Sequence, residues 1–352
     1  MSTHAAVATV GIKAPLGMIQ IPTVKPTGEQ VRVRVEWTAS TPLDLHQNDG
    51  GLLVKHPQVL GDGTAGTVVE TASDVKRLKV GDKVFGFTWR SQAEKAHQEY
   101  CTAEEWLFAK LPEGFTLTEA VTLPNNFVTV FHTLTTDLSV ETPWPKPESY
   151  VAKHENAAIL IWGGSSSVGQ FAVQILRYYG YKNVLATASR KHHGRLRSLG
   201  AKAVFDYNDS DVVSLIMKEG GENGIPLVLD CIGSKFGSIA PISKIAKHGA
   251  KIAILLPVIV RDSTVTKDPE YEMDVNAAAD WADGVEARGV RTHFYLEPDI
   301  MPTMLKEGIV SPQKQRIVEG ATMLERAQKA MDLLRRKEAR MERLVWRVSD
   351  TS

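Results

Sequence analysis

A turn of glycine and serine in the middle of the chain has the residue types that bind a dinucleotide phosphate. It follows an apolar run at 157–162 and precedes a segment, 168–179, whose apolar residues recur at helical spacing. This order predicts a buried strand, a tight loop and an amphipathic helix. The loop places backbone N–H groups at the positive end of the helix dipole, where a phosphate can dock. The expected contacts are Gly164, Ser165, Ser166, Ser167, Val168 and Gly169.

A plain strand-to-helix turn without a ligand is the alternative for this loop. The segment after the next strand favours a nucleotide and indicates which one. Folds that prefer NAD usually carry an acidic residue there, which binds the ribose 2′-OH. Residues 186–192 contain no acid, and Ser189, Arg190, Lys191 and His192 stand at the turn instead. Their donors could hold a 2′-phosphate through charge-assisted hydrogen bonds. These cations could equally form the solvated face of a helix, but we favour the phosphate site and hence NADPH.

Composition narrows the class of protein. The 352 residues carry 41 Lys plus Arg and 41 Asp plus Glu, whereas a nucleic-acid binder normally has a basic excess. The longest apolar run, 252–260, is too short to span a membrane. The two cysteines, Cys101 and Cys231, lie far apart, which argues against a disulfide framework. Residues 1–15 lack the layout of a signal peptide, and we expect a cytoplasmic protein.

The pattern of predicted elements divides the chain in two. Up to about residue 125, short strands with frequent turns predict a compact, barrel-like β domain. From 157 to 295, apolar strands alternate with helical segments, which is typical of a doubly wound parallel sheet. The expected strands lie near 157–162, 183–188, 203–206, 226–230, 250–256 and 290–295, and the helices near 168–179, 191–199, 209–219 and 236–247. A helix near 321–340 and a strand near 343–348 follow, and the acidic stretch 261–289 has no assignment.

Four motifs together resemble the medium-chain dehydrogenase/reductase superfamily. They are Thr41-Pro42-Leu43-Asp44, Gly61-Asp62-Gly63-Thr64-Ala65-Gly66, Val80-Gly81-Asp82-Lys83-Val84 and the loop 163–169. Their order and spacing carry the resemblance, and the segment 123–129 is similar to the one that joins the family's domains. The resemblance implies an α/β protein: a GroES-like β-rich catalytic domain at 1–125, completed by 296–352, and a Rossmann nucleotide-binding domain at 126–295. The chain is most similar to the zinc-free branch, which contains quinone reductases and the trans-acting enoyl reductases of fungal polyketide synthesis.

Departures from the family's zinc-dependent members indicate the chemistry. Those members use a Cys, a His-Glu pair and a second Cys or Asp at places held here by Thr41, Asp62-Gly63 and Asn125. Catalytic zinc requires nitrogen and sulfur ligands in a tetrahedral array, which these residues do not supply. We therefore expect no metal. Without a Lewis acid a plain carbonyl is hard to reduce, so a conjugated acceptor, an enoyl group, enone or quinone, is favoured.

The resemblance also implies further site residues. Tyr207 follows the third strand, where NADP-dependent relatives place a tyrosine that contacts the phosphate. A substrate pocket is implied at Thr41, Asn125, Phe127 and Thr129, although Thr129 could simply cap a helix. His46 is the candidate proton donor, with a structural role or a contact to the cofactor ribose as the alternative. Four more residues end later strands on the side where such sheets bind ligands and are candidate nicotinamide contacts: Cys231, Ile232, Leu255 and Leu256.

Several functions and partners stay open at this stage. The leading hypothesis is an NADPH-dependent reductase of conjugated small molecules. A zinc-free alcohol or aldehyde oxidoreductase, or a nucleotide-binding protein without turnover, are the alternatives. A carrier-protein partner would need a docking surface, for which seven cations are candidates, although a solvated helix face explains them as well: Lys314, Arg316, Arg326, Lys329, Arg335, Arg336 and Lys337. The protein is expected to be a monomer or a homodimer, with 290–295 as a candidate pairing edge.

Overall fold

A computed structural model describes residues 2–221, 224–292 and 298–349. The chain forms two compact units. Unit 1 consists of Met1–Asn125, Ser263–Pro269 and Tyr295–Ser352, and unit 2 of Asn126–Asp262 and Glu270–Phe294. The stretch without a sequence assignment is therefore shared, because its residues 263–269 belong to unit 1 while the residues on either side belong to unit 2.

The first part of the chain is rich in strands, as its turn-punctuated sequence predicts. In chain order its elements are β1 (Thr3–Thr9), β2 (Gly17–Pro22), β3 (Gln30–Ser40), α1 (Pro42–Gly50), β4 (Gln58–Val59), β5 (Gly63–Thr71), β6 (Lys83–Phe87), β7 (Tyr100–Glu104), β8 (Phe108–Lys110), α2 (Leu117–Ala120) and α3 (Pro124–His132).

The remainder alternates strands with helices and then returns to unit 1. Its elements are β9 (Ile159–Trp162), α4 (Ser167–Tyr178), β10 (Val184–Thr187), α5 (His193–Leu199), β11 (Ala203–Phe205), α6 (Val212–Gly220), β12 (Leu227–Asp230), α7 (Ala240–Ile245), β13 (Lys251–Leu255), β14 (Val258–Arg261), β15 (Glu270–Glu272), β16 (Glu286–Val290), α8 (Ile300–Lys306), β17 (Gln315–Ile317), α9 (Met323–Arg335) and β18 (Arg343–Arg347).

Strand β3 organises the main sheet of unit 1. The sheet runs β17-β18-β3-β5-β6-β8, and β7 also pairs with β3. Val31, Val33 and Val35 are fully buried while the residues between them are half-buried, as the period of two requires. The returning strand β18 pairs antiparallel with β3 and buries Trp346, whose indole N–H donates to Ser40 Oγ at 3.0 Å. The C-terminal segment thus completes the core of unit 1.

Unit 2 is built on a parallel six-stranded sheet. The strand order is β11-β10-β9-β12-β13-β16, and every neighbouring pair is parallel. Numbered by chain order within this sheet, the strands run 3-2-1-4-5-6, the order of Rossmann dinucleotide-binding domains. The predicted doubly wound α/β fold is confirmed. Strands β14 and β15 form a separate antiparallel hairpin.

The last predicted strand of this sheet is misplaced. The sheet ends with β16 at Glu286–Val290, which pairs with β13, whereas the sequence predicts 290–295. Residues 291–292 lie outside any strand, and His293, Phe294 and Tyr295 fall outside the described residues. Edge strands often carry charged side chains. Strand β16 contains Glu286, Arg288 and Gly289, so its apolar pattern is too weak to be detected in the sequence.

We expect Gly66→Ala to destabilise unit 1. A Cβ on Gly66 would lie 1.9 Å from the carbonyl oxygen of Arg34 on the neighbouring strand β3, so the strands would have to separate. The expected loss in unfolding free energy is about 1–3 kcal/mol, the usual cost of overpacking. Urea unfolding measures it.

Gly63→Ala is the matched control because Gly63 lies on the same strand. The nearest atom to its Cβ would be 3.7 Å away, an ordinary contact. We expect a change within about 0.5 kcal/mol. Equal unfolding midpoints for the two variants would contradict the close approach of β5 to β3.

Candidate active site

The candidate nucleotide loop, residues 163–169, leads from β9 into α4. Its backbone packs tightly at two glycines. Gly163 has a φ of +82°, and a Cβ on Gly169 would lie 2.5 Å from the Gly163 carbonyl oxygen. Ser166 caps α4, its Oγ accepting from the Gly169 N–H at 3.0 Å. Thr187 on β10 fixes the other side, because its Oγ1 accepts from the Gly163 N–H at 2.9 Å. The loop is therefore held at the start of a 12-residue helix, with the dipole end that favours phosphate.

The basic turn after β10 contains charges that the local sequence does not reveal. Ser189 Oγ lies 3.1 Å from Tyr207 OH, so the two predicted phosphate contacts are neighbours. Arg190 is exposed, and its guanidinium donates to Asp209 Oδ1 at 2.6 Å. Asp206 accepts from the Arg190 backbone N–H at 3.2 Å. Two carboxylates, those of Asp206 and Asp209, thus lie against this turn. Both residues follow β11 in the chain, so the sequence of the turn itself does not contain them.

The end of β12 lies beside the nucleotide loop. A Cβ on Gly163 would come within 2.6 Å of Ile232 Cδ1 and 3.5 Å of Cys231 Cβ, which places both side chains against the loop. Burial raises the pKa of the Cys231 thiol, so this cysteine is a packing group rather than a nucleophile. Leu255 is half-buried at the end of β13, whereas Leu256 packs over Gly289 of β16.

A buried carboxyl holds the turn that carries Cys231 and Ile232. Asp230 accepts from the backbone N–H groups of Ile232 and Gly233 at 2.9 and 3.2 Å and from Ser238 Oγ at 2.6 Å. Its full burial raises its pKa to about 6, against these hydrogen bonds. Sequence analysis did not single out Asp230, although a charged residue ending an apolar strand is a usable signal.

The predicted substrate-pocket residues separate into different environments. Phe127 is fully buried on α3 and packs against Phe131 and Phe171, with ring centroids 5.0 and 6.3 Å apart. This burial favours a packing role. Thr129 is half-buried, and its hydroxyl accepts from Thr292 at 3.3 Å. Asn125, in the first turn of the same helix, is half-buried and belongs to unit 1.

Thr41 and Asn125 donate hydrogen bonds to a buried charge centre in unit 1, which we define as Asp44, Asp62, Lys95, His97 and Arg343. Asp44 accepts from the backbone N–H groups of Thr41 and Gly61 at 2.8 and 3.0 Å. Asp62 Oδ2 accepts from Asn125 Nδ2 at 2.6 Å. All five side chains are buried. Sequence analysis considered only Asp62 of these five residues as a ligand and missed the other four.

Burial dominates the electrostatics of this centre. It raises the pKa of Asp62 to about 6; the charge of Asp44 adds to the rise, and Lys95 and Arg343 oppose it. Burial likewise raises the pKa of Asp44 and lowers the pKa values of Lys95 and Arg343. The pKa of His97 falls to about 3 through burial and the nearby Lys95 charge, so its imidazole is neutral at physiological pH.

His46, the predicted proton donor, lies half-buried on α1, two residues after Asp44. Its assignment as donor stays a prediction.

Among the seven cations considered for a docking surface, two turn inward. Arg326 donates to the Arg347 carbonyl at 2.7 Å, and Arg335 forms a paired contact with Asp49 at 2.7 and 2.8 Å. The seven therefore do not form one basic surface.

Residues 2–221, 224–292 and 298–349 contain no group of three or more His, Cys, Asp or Glu side chains arranged to hold a metal ion. The same residues form no helix with the length and hydropathy needed to cross a bilayer.

Comparison with known proteins identifies the family. The model of the alcohol dehydrogenase GroES-like domain matches residues 27–132, and that of the zinc-binding dehydrogenase matches residues 167–255. The chain is 34% identical to the trans-enoyl reductase tndF of Aspergillus flavipes over 244 residues, covering 66% of this chain and 68% of that protein. The chain belongs to the medium-chain dehydrogenase/reductase superfamily.

Two further proteins match this chain over nearly its whole length. The lovastatin nonaketide synthase enoyl reductase component lovC of Aspergillus terreus is 27% identical over 331 residues, which is 91% of this chain and 89% of that one. The quinone oxidoreductase structure from Coxiella burnetii superposes with a TM-score of 0.76 at 22% identity, covering 99% of this chain and 100% of that one. The superposition supports the GroES-like and Rossmann architecture.

We expect Gly169→Ala to weaken nucleotide binding while leaving the protein folded. The added Cβ would meet Gly163 O at 2.5 Å and Gly164 Cα at 2.7 Å, so the loop must move away from its anchored position. At a cost of about 1–3 kcal/mol, the dissociation constant should rise by about fivefold or more. Calorimetric titration with NADPH measures it.

Gly194→Ala in α5 is the control, because no atom lies within 4 Å of its Cβ. It should bind nucleotide like the parent and gain about 0.5–1 kcal/mol of stability from helix propensity. Unchanged binding by the Gly169 variant would contradict a phosphate-binding role for this loop.

Proposed function

We propose that this protein is a zinc-independent, NADPH-dependent reductase that adds hydride to a small conjugated acceptor, either the C=C bond of an enoyl or enone group or a quinone. The single observation that carries the cofactor assignment is the group formed by Ser189, Arg190 and Tyr207 next to the glycine loop. The names of the relatives, a trans-enoyl reductase and an enoyl reductase component, support the acceptor class. When bound, the dihydronicotinamide would supply the hydride.

The residues present fit a dinucleotide. Gly163 and Gly169 allow close passage of the backbone, and the capped start of α4 offers its dipole to a pyrophosphate. At the basic turn, two hydroxyls and an exposed guanidinium lie within one small region, and a 2′-phosphate needs such donors. The Arg190–Asp209 pair would have to open, which costs little because exposed ion pairs contribute about 0–1 kcal/mol.

The residues do not fit a catalytic zinc ion. Asp62 is the only carboxylate at the three corresponding positions, and Thr41 and Asn125 supply neutral oxygen and amide groups. Two buried cations, Lys95 and Arg343, already oppose the charges of Asp44 and Asp62, so the centre has no net negative charge to attract a dication. Positioning of the acceptor against the nicotinamide then supplies most of the rate enhancement, which reaches about 7–11 kcal/mol in favourable cases. Conjugated acceptors suit such a site because they need little polarisation.

The function is tested by following NADPH oxidation with three acceptors. We expect turnover with a trans-2-enoyl thioester and with a quinone, and little with a saturated aldehyde. Zinc analysis of the active protein accompanies the assay. Preferred reduction of the aldehyde would favour the alcohol or aldehyde oxidoreductase, and binding of NADPH with no turnover on any acceptor would favour a protein without chemistry.

We expect Arg190→Ala with Lys191→Ala to raise the KM for NADPH far more than that for NADH. Losing paired phosphate contacts should cost about 2–4 kcal/mol. Steady-state kinetics with both cofactors measure the difference. Asp209→Asn is the opposite perturbation: it releases Arg190 and should lower the KM for NADPH by a few-fold, consistent with about 0–1 kcal/mol. An equal effect of the double variant on both cofactors would refute the NADPH assignment.

A further inference from the structure

The buried charge centre carries more charge than packing explains. Asp44, Asp62, Lys95 and Arg343 are each 7% exposed or less, and they come from α1, the segment before β5, the connection between β6 and β7, and β18. Removing such groups from water costs several kcal/mol each, and well-packed apolar residues would often be at least as stable. Ionisable groups with strongly shifted pKa values concentrate at functional sites. Stability alone is therefore a poor reason for this arrangement.

Several polar atoms of the centre point to an internal polar path. Asp62 Oδ1, both ring nitrogens of His97 and Arg343 Nε are buried without a hydrogen-bond partner in the part of the chain that the structure describes. The His97 ring lies against the residue before Asp62, since a Cβ on Gly61 would come within 2.7 Å of His97 Nε2. Buried groups of this kind are normally satisfied by ordered water. Carboxyl, imidazole and water together are able to hold and pass protons.

Asn125 links the centre to a more accessible position. Its side chain donates to Asp62 Oδ2 at 2.6 Å, and Asn125 is half-buried while Asp62 is 3% exposed. Asn125 is also one of the residues expected to face the acceptor. The Asp62 carboxyl thus lies one side chain beneath the expected binding surface.

We propose that Asp62 holds the proton that completes the reduction and delivers it past Asn125 to the α-carbon of the acceptor. The inference rests on the proposed function. Hydride addition to the β-carbon leaves an enolate on the acceptor. The Asp62 O–H bond then breaks as its proton passes to a water molecule beside Asn125, an O–H bond of that water breaks as a C–H bond forms at the α-carbon, and the Asp62 carboxylate regains a proton from solvent.

The charges that face Asp62 suit this role. Asp44 on α1 favours a protonated Asp62, whereas Lys95 and Arg343 favour its release of the proton. Asn125 from α3 stabilises the carboxylate by donating to it. His97 is neutral and Glu94 faces Lys95. The outcome is a carboxyl with a pKa of about 6, so it exchanges protons near physiological pH, as a general acid must.

The test compares Asp62→Asn with the parent on two acceptors. Protonation at carbon is slow and needs an acid, whereas a reduced quinone is protonated at oxygen directly from water. We expect the variant to lose at least tenfold in kcat with the enoyl thioester and to retain quinone reduction. The parent's kcat with the enoyl thioester should fall as pH rises through about 6. The variant should lack this falling limb of the pH profile. Asp137→Asn, which changes another carboxyl with a burial-raised pKa, should leave the limb in place.

Two further measurements keep the proposal testable if Asp62→Asn folds poorly. Lys95→Met removes a charge that lowers the pKa of Asp62, so the limb should move to higher pH. Asp230 also has a pKa of about 6, so infrared difference spectra of the cofactor-free parent should contain protonated-carboxyl bands from both residues that disappear as pH rises through about 6, and Asp62→Asn should lose one of these two bands.

The outcomes separate the inference from the proposed function. Deuterium transferred from C4 of labelled NADPH to the β-carbon, by parent and variant alike, reports hydride addition. Label in the product with an unchanged enoyl pH profile in Asp62→Asn overturns the proton assignment alone. Loss of the limb in His46→Phe instead of Asp62→Asn also overturns it, in favour of His46. Absence of label transfer by the parent overturns the proposed function.

Discussion

The double hydrogen bond accepted by Asp44 is the constraint on which unit 1 depends. One carboxylate oxygen accepts from Thr41 at the start of α1, and the other accepts from Gly61 just before β5. A buried carboxylate without such partners would be prohibitively costly, so the start of the helix and the approach to the strand are held together. Asp62, the next residue, is thereby placed beside Lys95, Arg343 and Asn125. The candidate chemistry of this unit follows from that placement.

Unit 2 depends on a different constraint, which is that Gly163 and Gly169 have no side-chain atoms where the loop enters α4. The loop can begin α4 where it does because Gly169 has no Cβ to meet Gly163. Ile232 and Cys231 lie against the same glycine, and the buried Asp230 orients their turn through backbone hydrogen bonds. Backbone geometry, rather than reactive side chains, therefore forms this part of the nucleotide site. Under the proposed function, discrimination between NADPH and NADH is assigned to the exposed turn at Ser189 and Arg190.

Local pattern predicted most of the fold but only part of the site. The strand, loop and helix around 157–179 and the parallel sheet were predictable because their apolar periodicity is strong. Strand β16 was misplaced because an edge strand with Glu286 and Arg288 has little periodicity to detect. The absence of acid at 186–192 was read correctly from the sequence, yet Asp206 and Asp209 reach Arg190 from beyond β11. No local window contains both sides of that contact.

The sequence by itself determined the alternation of elements and the position of the glycine loop. These properties depend on residues near each other in the chain. Only the tertiary structure decided that Asp44, Asp62, Lys95, His97 and Arg343, which span 300 positions of a 352-residue chain, share one buried environment. The reason is electrostatic: the ionisation of each group depends on burial and on neighbours brought close by folding, and neither is written in the local sequence.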